Sequence, residues 1–268
     1  MSSPFLFPPH RATNSRRHPR QSSERYNRAE DVLQLRPCDV VGVFLGCSGL
    51  VRRLRISQVR LYEERESPMH EVLRVDFYDR QTGLRNCIFV ERAAPAEVSC
   101  LFSGGEAVDS FLIPCRRDYM DRPRELSRTH YRLLHALRLY PEQQMSFAKL
   151  AVACSIMSQK QPMYKSLTAQ CFWYARSILG IVTLDAGCLL RVSATPDEAD
   201  AKKNALYRGV KALAQARVDH HRKSDYADFR KAWRIFKRRL SDACYESRSA
   251  RQHSVAESLH RPGPVFVI

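Results

Sequence analysis

The sequence predicts an α+β fold: an antiparallel sheet, then a helical layer, then a basic helical extension. Two changes of pattern carry this. Between about residues 40 and 115 apolar residues mostly alternate with polar ones, the period of strands. Between about 122 and 186 they recur every third or fourth position, the period of helices. The third observation is charge. The formal net charge is +16, and the excess gathers at the two ends.

Taken in order, residues 1–36 are rich in Pro, Ser and Arg and poor in aliphatics, so they read as a disordered basic tail. The core domain is expected over 37–190. "DVVGVFLGC", from Asp39, is a short apolar run with β-branched residues and reads as a buried strand. "RRLRISQVRLYEE" alternates with a phase slip near Ser57, which predicts a strand with a bulge. "HEVLRVDFYD" and "RNCIFVERA" flank a turn containing Gly83 and predict an antiparallel hairpin. Ser110 to Cys115 is one more short strand. "PRELSRTHYRLLHALRLY" then places Leu126, Tyr131, Leu134, Leu137 and Leu139 on one broad helical face. "SFAKLAVACSIMS" is a short buried helix, and a further helix carries "CFWYARSIL", stopped at Gly187.

The basic helical segment is expected over 194–246, with a disordered tail over 247–268. Thr195-Pro196-Asp197-Glu198 has the residues of a helix start: a cap, a proline at the first turn and an acid three after the cap. Tyr226, Phe229, Trp233, Phe236 and Leu240 then repeat as 3, 4, 3, 4. Leu206, Val210 and Leu213 form an earlier stripe out of phase with it, so the segment is either two helices or one helix with a shifted stripe.

Residues 1–30 hold six Arg against two Glu, and residues 196–268 hold sixteen Lys/Arg against nine Asp/Glu. Basic ends attract a phosphate-rich or acidic partner without implying sequence recognition. Arg230, Arg234, Lys237, Arg238 and Arg239 are the candidate anion-binding residues. With Phe229, Trp233 and Phe236 turned inward, the same helix could also lie on an anionic membrane. No apolar run is long enough for a transmembrane segment. Nine cysteines occur singly, with no CxxC, which disfavours a zinc ribbon or a disulfide scaffold and points to a reducing, cytoplasmic or nuclear setting. No phosphate-binding glycine loop, dinucleotide fingerprint, GxSxG or HExxH is present, so no cofactor or metal is implied.

One motif carries candidate chemistry. In "TAQCFWYARSIL" Cys171 opens a helix. A helix N-terminus offers unpaired N–H groups and about half a positive charge, which stabilise a thiolate and a developing oxyanion. A thiol nucleophile also needs a base, in practice a histidine near in space. His70 opens a strand and is the best placed of nine histidines. Gln170, just before the cysteine, and Asn86 on the next strand are candidate oxyanion or orienting residues, with Glu91 of that strand as a further choice. The alternative is that Cys171 is a small apolar residue in a core helix.

"PMYKSLTAQCFWYARSIL" resembles a segment in a family of uncharacterised fungal proteins, where P-L-Y-x-L-L-x-x-Q/N-C-Y-W-F-A recurs. Those proteins also show V-x-L-Y-E-R…H-E, similar to "VRLYEERESPMHE" here, Val59 to Glu71. The likeness spans about Val40 to Leu184 and implies no assigned activity. A more distant resemblance is to permuted papain-like thiol enzymes of the NlpC and lecithin-retinol-acyltransferase type, in which a strand His precedes a Cys opening a helix. That resemblance implies a papain-like sheet-and-helix core, with Cys171 as nucleophile and His70 as base of a hydrolase or acyl/peptidyl transferase. Gln170 stands where that group often has Asn, and "HEVLRV" lacks its usual aromatic and Gly, so the enzyme could also be degenerate. A non-catalytic interaction module, working through the basic helix, is the alternative. The enzyme requires Cys171 to meet His70; the module does not.

Overall fold

The structure, a computed structural model, describes residues 32–64, 70–94, 105–114, 131–164, 171–187, 191–192 and 205–259. Nine strands occur among them: β1 (Val32–Leu35), β2 (Leu54–Glu64), β3 (Glu71–Asp79), β4 (Arg85–Ala93), β5 (Gly105–Glu106), β6 (Val108–Pro114), β7 (Tyr131–Arg138), β8 (Met163–Tyr164) and β9 (Arg191–Val192). The helices are α1 (Pro37–Gly46), α2 (Ser48–Arg53), α3 (Phe147–Lys160), α4 (Cys171–Ala186) and α5 (Ala205–Leu259). Seven strands form one antiparallel sheet in the order β1-β6-β4-β3-β2-β7-β9, and β5 pairs with β8. The fold is α+β, as the two periodicities require.

Sequence and sheet agree closely in β2, β3 and β4. The phase slip near Ser57 is a bulge: the register against β3 shifts between Ile56 and Gln58. That extra residue lets Leu54 and Ile56 on one side of it, and Val59 and Leu61 on the other, all reach the core. Gly83 turns the β3–β4 hairpin with φ of 70°, a conformation that suits glycine. Leu73, Val75 and Phe77 of β3 and Ile88 and Val90 of β4 are buried beneath the helices.

The helical layer centres on α3 and α4. Ser146 caps α3 by accepting from Lys149 N–H. Phe147 fills the middle of the core, its ring 4.7 Å from Phe77, 5.8 Å from Phe44 and 6.1 Å from Phe111. Helix α4 packs on β2, β3 and β4, and α5 packs over α4, α3 and α1. Gly187 ends α4 with φ of 63°.

Four readings of local structure change. "DVVGVFLGC" is helical, not a strand: Pro37 starts α1, and Val40 and Phe44, one turn apart, are its buried face. A short apolar run fits strand and buried helix equally, and the proline decides. Tyr131–Arg138 is strand β7, not helix. It pairs with the edge β2 would otherwise present, and that pairing overrides the residues' helical preference. Order begins before residue 37, since β1 pairs with β6, for instance Leu33 opposite Ile113. Helix α5 is a single helix, and it continues past 246 to Leu259. The Thr195 helix start and residues 1–31 lie outside the described residues. No helix among the described residues is long and apolar enough to cross a membrane.

Candidate active site

The β3–β4 hairpin and the start of α4 converge at one end of the sheet. His70 immediately precedes β3, and its carbonyl accepts from Glu64 N–H at 2.8 Å, tying it to the end of β2. In the hairpin register Leu73 stands opposite Val90, so Glu91 lies at the same end of the pair as His70. Cys171 is the first residue of α4. The imidazole of His70 sits between two side chains. It lies close enough to the Cys171 side chain to interact with it electrostatically, and its Nε2 lies 3.5 Å from Glu91 Oε2.

The electrostatics follow from this placement. Burial alone favours neutral imidazole. The polar and charge interactions with Cys171 and Glu91 outweigh it and raise the His70 pKa to about 10. His70 is therefore an imidazolium at neutral pH, flanked by the Cys171 and Glu91 side chains. The His70 and Glu91 side chains are 22% and 19% exposed, whereas Cys171 is 4% exposed. The thiol thus meets its histidine but is covered in this state.

A second layer of charge fastens the strand to the helix. Glu71, next to His70 and fully buried, receives two 2.7 Å hydrogen bonds from Arg176 Nε and Nη2, one turn into α4. Lys211 of α5 lies 3.1 Å from Glu71 and also pairs with Glu63. Arg132 of β7 donates to Glu63 at 3.2 Å from Nε. Burial pushes the Glu63 carboxyl up, but Lys211 and Arg132 hold it below its usual value. So five elements, β2, β3, β7, α4 and α5, share one ion network beside Cys171 and His70.

The other expected site residues fall elsewhere. Asn86 stands opposite Phe77, seven residues along β3 from His70, roughly 20 Å away at about 3.3 Å per residue. Its Oδ1 accepts from Cys87 N–H at 2.8 Å. Asn86 is therefore too far from His70 to orient it, and Glu91 is the residue of β4 that lies beside the ring. Gln170 lies outside the described residues. Arg230, Arg234, Lys237, Arg238 and Arg239 are all exposed on α5. The seam beneath them is not free for a membrane: Phe229 and Phe236 are buried in the core, and Trp233 stacks on Phe236 at 5.0 Å.

Three residues at the site were not singled out from the sequence. Arg92 and Tyr164 lie close enough to Cys171 to interact with it electrostatically. Burial and the Cys171 charge raise the Tyr164 phenol pKa, against the pull of Arg92. Arg176 is the third. Arg92 did carry a signal: it continues the buried Ile88–Val90 alternation, where a charge is out of place unless it has a task. No family model, no curated protein and no solved structure matches this chain.

Proposed function

We propose that this protein is a papain-like cysteine hydrolase or acyl/peptidyl transferase, with Cys171 as nucleophile, His70 as general acid and base, and Glu91 orienting His70. One observation carries the reading: an imidazole bracketed by a helix-opening cysteine and a carboxylate, three residues far apart in sequence. A structural cysteine needs only apolar neighbours. A nucleophile needs this arrangement: a positioned cation to stabilise the thiolate, and a third group to hold the ring.

The chemistry follows the geometry. Cys171 Sγ, as thiolate, adds to the carbonyl carbon of an ester or amide, and the π pair moves onto oxygen. The first N–H groups of a helix have no partner within it, and in this reading that of Cys171 holds the oxyanion. The intermediate collapses, the leaving nitrogen or oxygen takes a proton from His70, and a thioester remains. Water, or an acceptor amine or hydroxyl, then gives a proton to His70 and displaces Sγ. The test is p-nitrophenyl acetate. The expected result is a burst of nitrophenolate with one acetyl group on Cys171, lost in Cys171→Ala and His70→Ala. Acetylation spread over exposed lysines, unchanged in either variant, removes the reading.

The exposed cations of α5 support a second, compatible property: binding of a phosphate-rich partner. Since Phe229 and Phe236 beneath them are packed in the core, this face is dominated by charge, which suits a polyanion rather than membrane insertion.

A further inference from the structure

Arg92 is the least expected residue near the thiol. It sits on β4 directly after Glu91, and its side chain is fully buried. Its guanidinium lies over two rings of the first turn of α4, 5.4 Å from the centres of both Trp173 and Tyr174. Those residues come two and three positions after Cys171. Nη2 donates to the Gln161 carbonyl. Nε is 3.5 Å from Asp109 Oδ1, yet forms no hydrogen bond with it, and Nη1 has no acceptor either. Asp109 Oδ1 is likewise without a hydrogen bond.

This is a costly arrangement. A buried guanidinium has five N–H donors to satisfy, and each one left unmatched keeps the desolvation cost of a charged group without the return of a hydrogen bond. Burial lowers the Arg92 pKa, against the charges of Asp109, Tyr174, Tyr164 and Cys171, so the protein holds a cation where its solvation is poor. Burial also pushes the Asp109 carboxyl up, toward its neutral form, which weakens its value as a fixed counter-ion. A purely structural arginine at this place would be expected to form the two-pronged pair that Arg176 makes with Glu71. Arg92 instead leaves Nε and Nη1 unmatched, one on each side of Nη2, with its guanidinium over the aromatic rings that follow Cys171.

We propose that Arg92 receives a carboxylate of the substrate, so that the acyl compounds processed at Cys171 are anionic ones bearing a carboxylate near the scissile carbonyl. The inference rests on the thiol-enzyme reading and deepens it. A carboxylate answers the cation's charge and accepts from an unmatched N–H, so the contact orients the substrate as well as attracting it. The same cation selects against neutral acyl groups, which would leave it desolvated and unpaired.

The probe is a pair of alkylating reagents that differ in one group, iodoacetate and iodoacetamide. Both alkylate Cys171 Sγ with loss of iodide; only the first brings a carboxylate. The readout is the ratio of the two rates at Cys171, followed by mass spectrometry on the full chain. Arg92→Gln is expected to lower the iodoacetate-to-iodoacetamide ratio roughly tenfold, the scale at which a local charge steers an anion. Asp109→Asn, which removes the competing carboxylate, is expected to raise the ratio. An unchanged ratio in Asp109→Asn, with Arg92→Gln either unchanged or unable to fold, overturns the proposal and leaves Cys171 an active thiol without this selectivity. A Cys171 inert to both reagents in the parent overturns the thiol-enzyme reading itself, and this proposal with it.

Discussion

Glu71→Gln is the substitution whose consequence the structure specifies best. The parent carboxylate is fully buried and carries two 2.7 Å bonds from Arg176 and a 3.1 Å pair with Lys211. Glutamine keeps the shape but removes the charge, and its amide nitrogen must turn toward one of the two cations. Removing one partner of a buried pair costs about 3–5 kcal/mol, because the remaining charges stay desolvated. Here the cations are 15% and 20% exposed, so part of their charge can relax toward water, and the lower end, about 3 kcal/mol, applies. The double variant Glu71→Gln, Arg176→Met should lose less than the sum of the two single changes, with a coupling of about 1–3 kcal/mol. Urea unfolding followed by fluorescence of Trp173 and Trp233 measures all three. A loss below about 1 kcal/mol in Glu71→Gln, or strict additivity in the double variant, would show that the network is solvated and not buried.

Three other outcomes are expected. Histidine titration by nuclear magnetic resonance should show one imidazolium persisting toward pH 10, assigned to His70, and Cys171→Ala should bring its pKa down toward the ordinary value of about 6.5. Because the folded value is raised, the stability His70 contributes is complete below about pH 6.5 and is lost as pH rises toward 10. The sign is opposite for Glu63, whose folded pKa is lowered. Its contribution is present above about pH 4.5 and is lost as pH falls through the folded value, and Lys211→Met should flatten acid unfolding in that range. Finally, Arg234→Glu combined with Lys237→Glu and Arg238→Glu should abolish salt-sensitive retention on heparin while leaving thermal unfolding within about 0.5 kcal/mol of the parent, as expected for exposed positions. Retention that survives the triple change would remove the polyanion reading.

The sequence was most legible where one period dominates. The β3–β4 hairpin, the bulge at Ser57 and helices α3 and α4 all follow from alternation, turn residues and caps. The misread pieces have a common cause. Asp39–Gly46 and Tyr131–Arg138 carry patterns that two structures satisfy: Pro37 starts the first as a helix, and pairing with β2, distant in sequence, makes the second a strand. The same distinction holds at the site. Cys171 and His70 stood out as candidates because one opens a helix and the other immediately precedes a strand. Choosing Glu91 over Asn86 needed the hairpin register, since both lie on β4 and only the register says which end faces His70. The Glu71–Arg176 clamp spans 105 residues and leaves no local trace.

The most direct test of the central claim follows alkylation of each cysteine with pH, in the folded parent and in His70→Ala. If Cys171 and His70 form an activated pair, Cys171 reacts near pH 6 faster than the exposed Cys38 and Cys47 despite its burial, and His70→Ala removes that advantage. A Cys171 that stays inert until the protein unfolds, as buried Cys87 and Cys154 should, would contradict the claim.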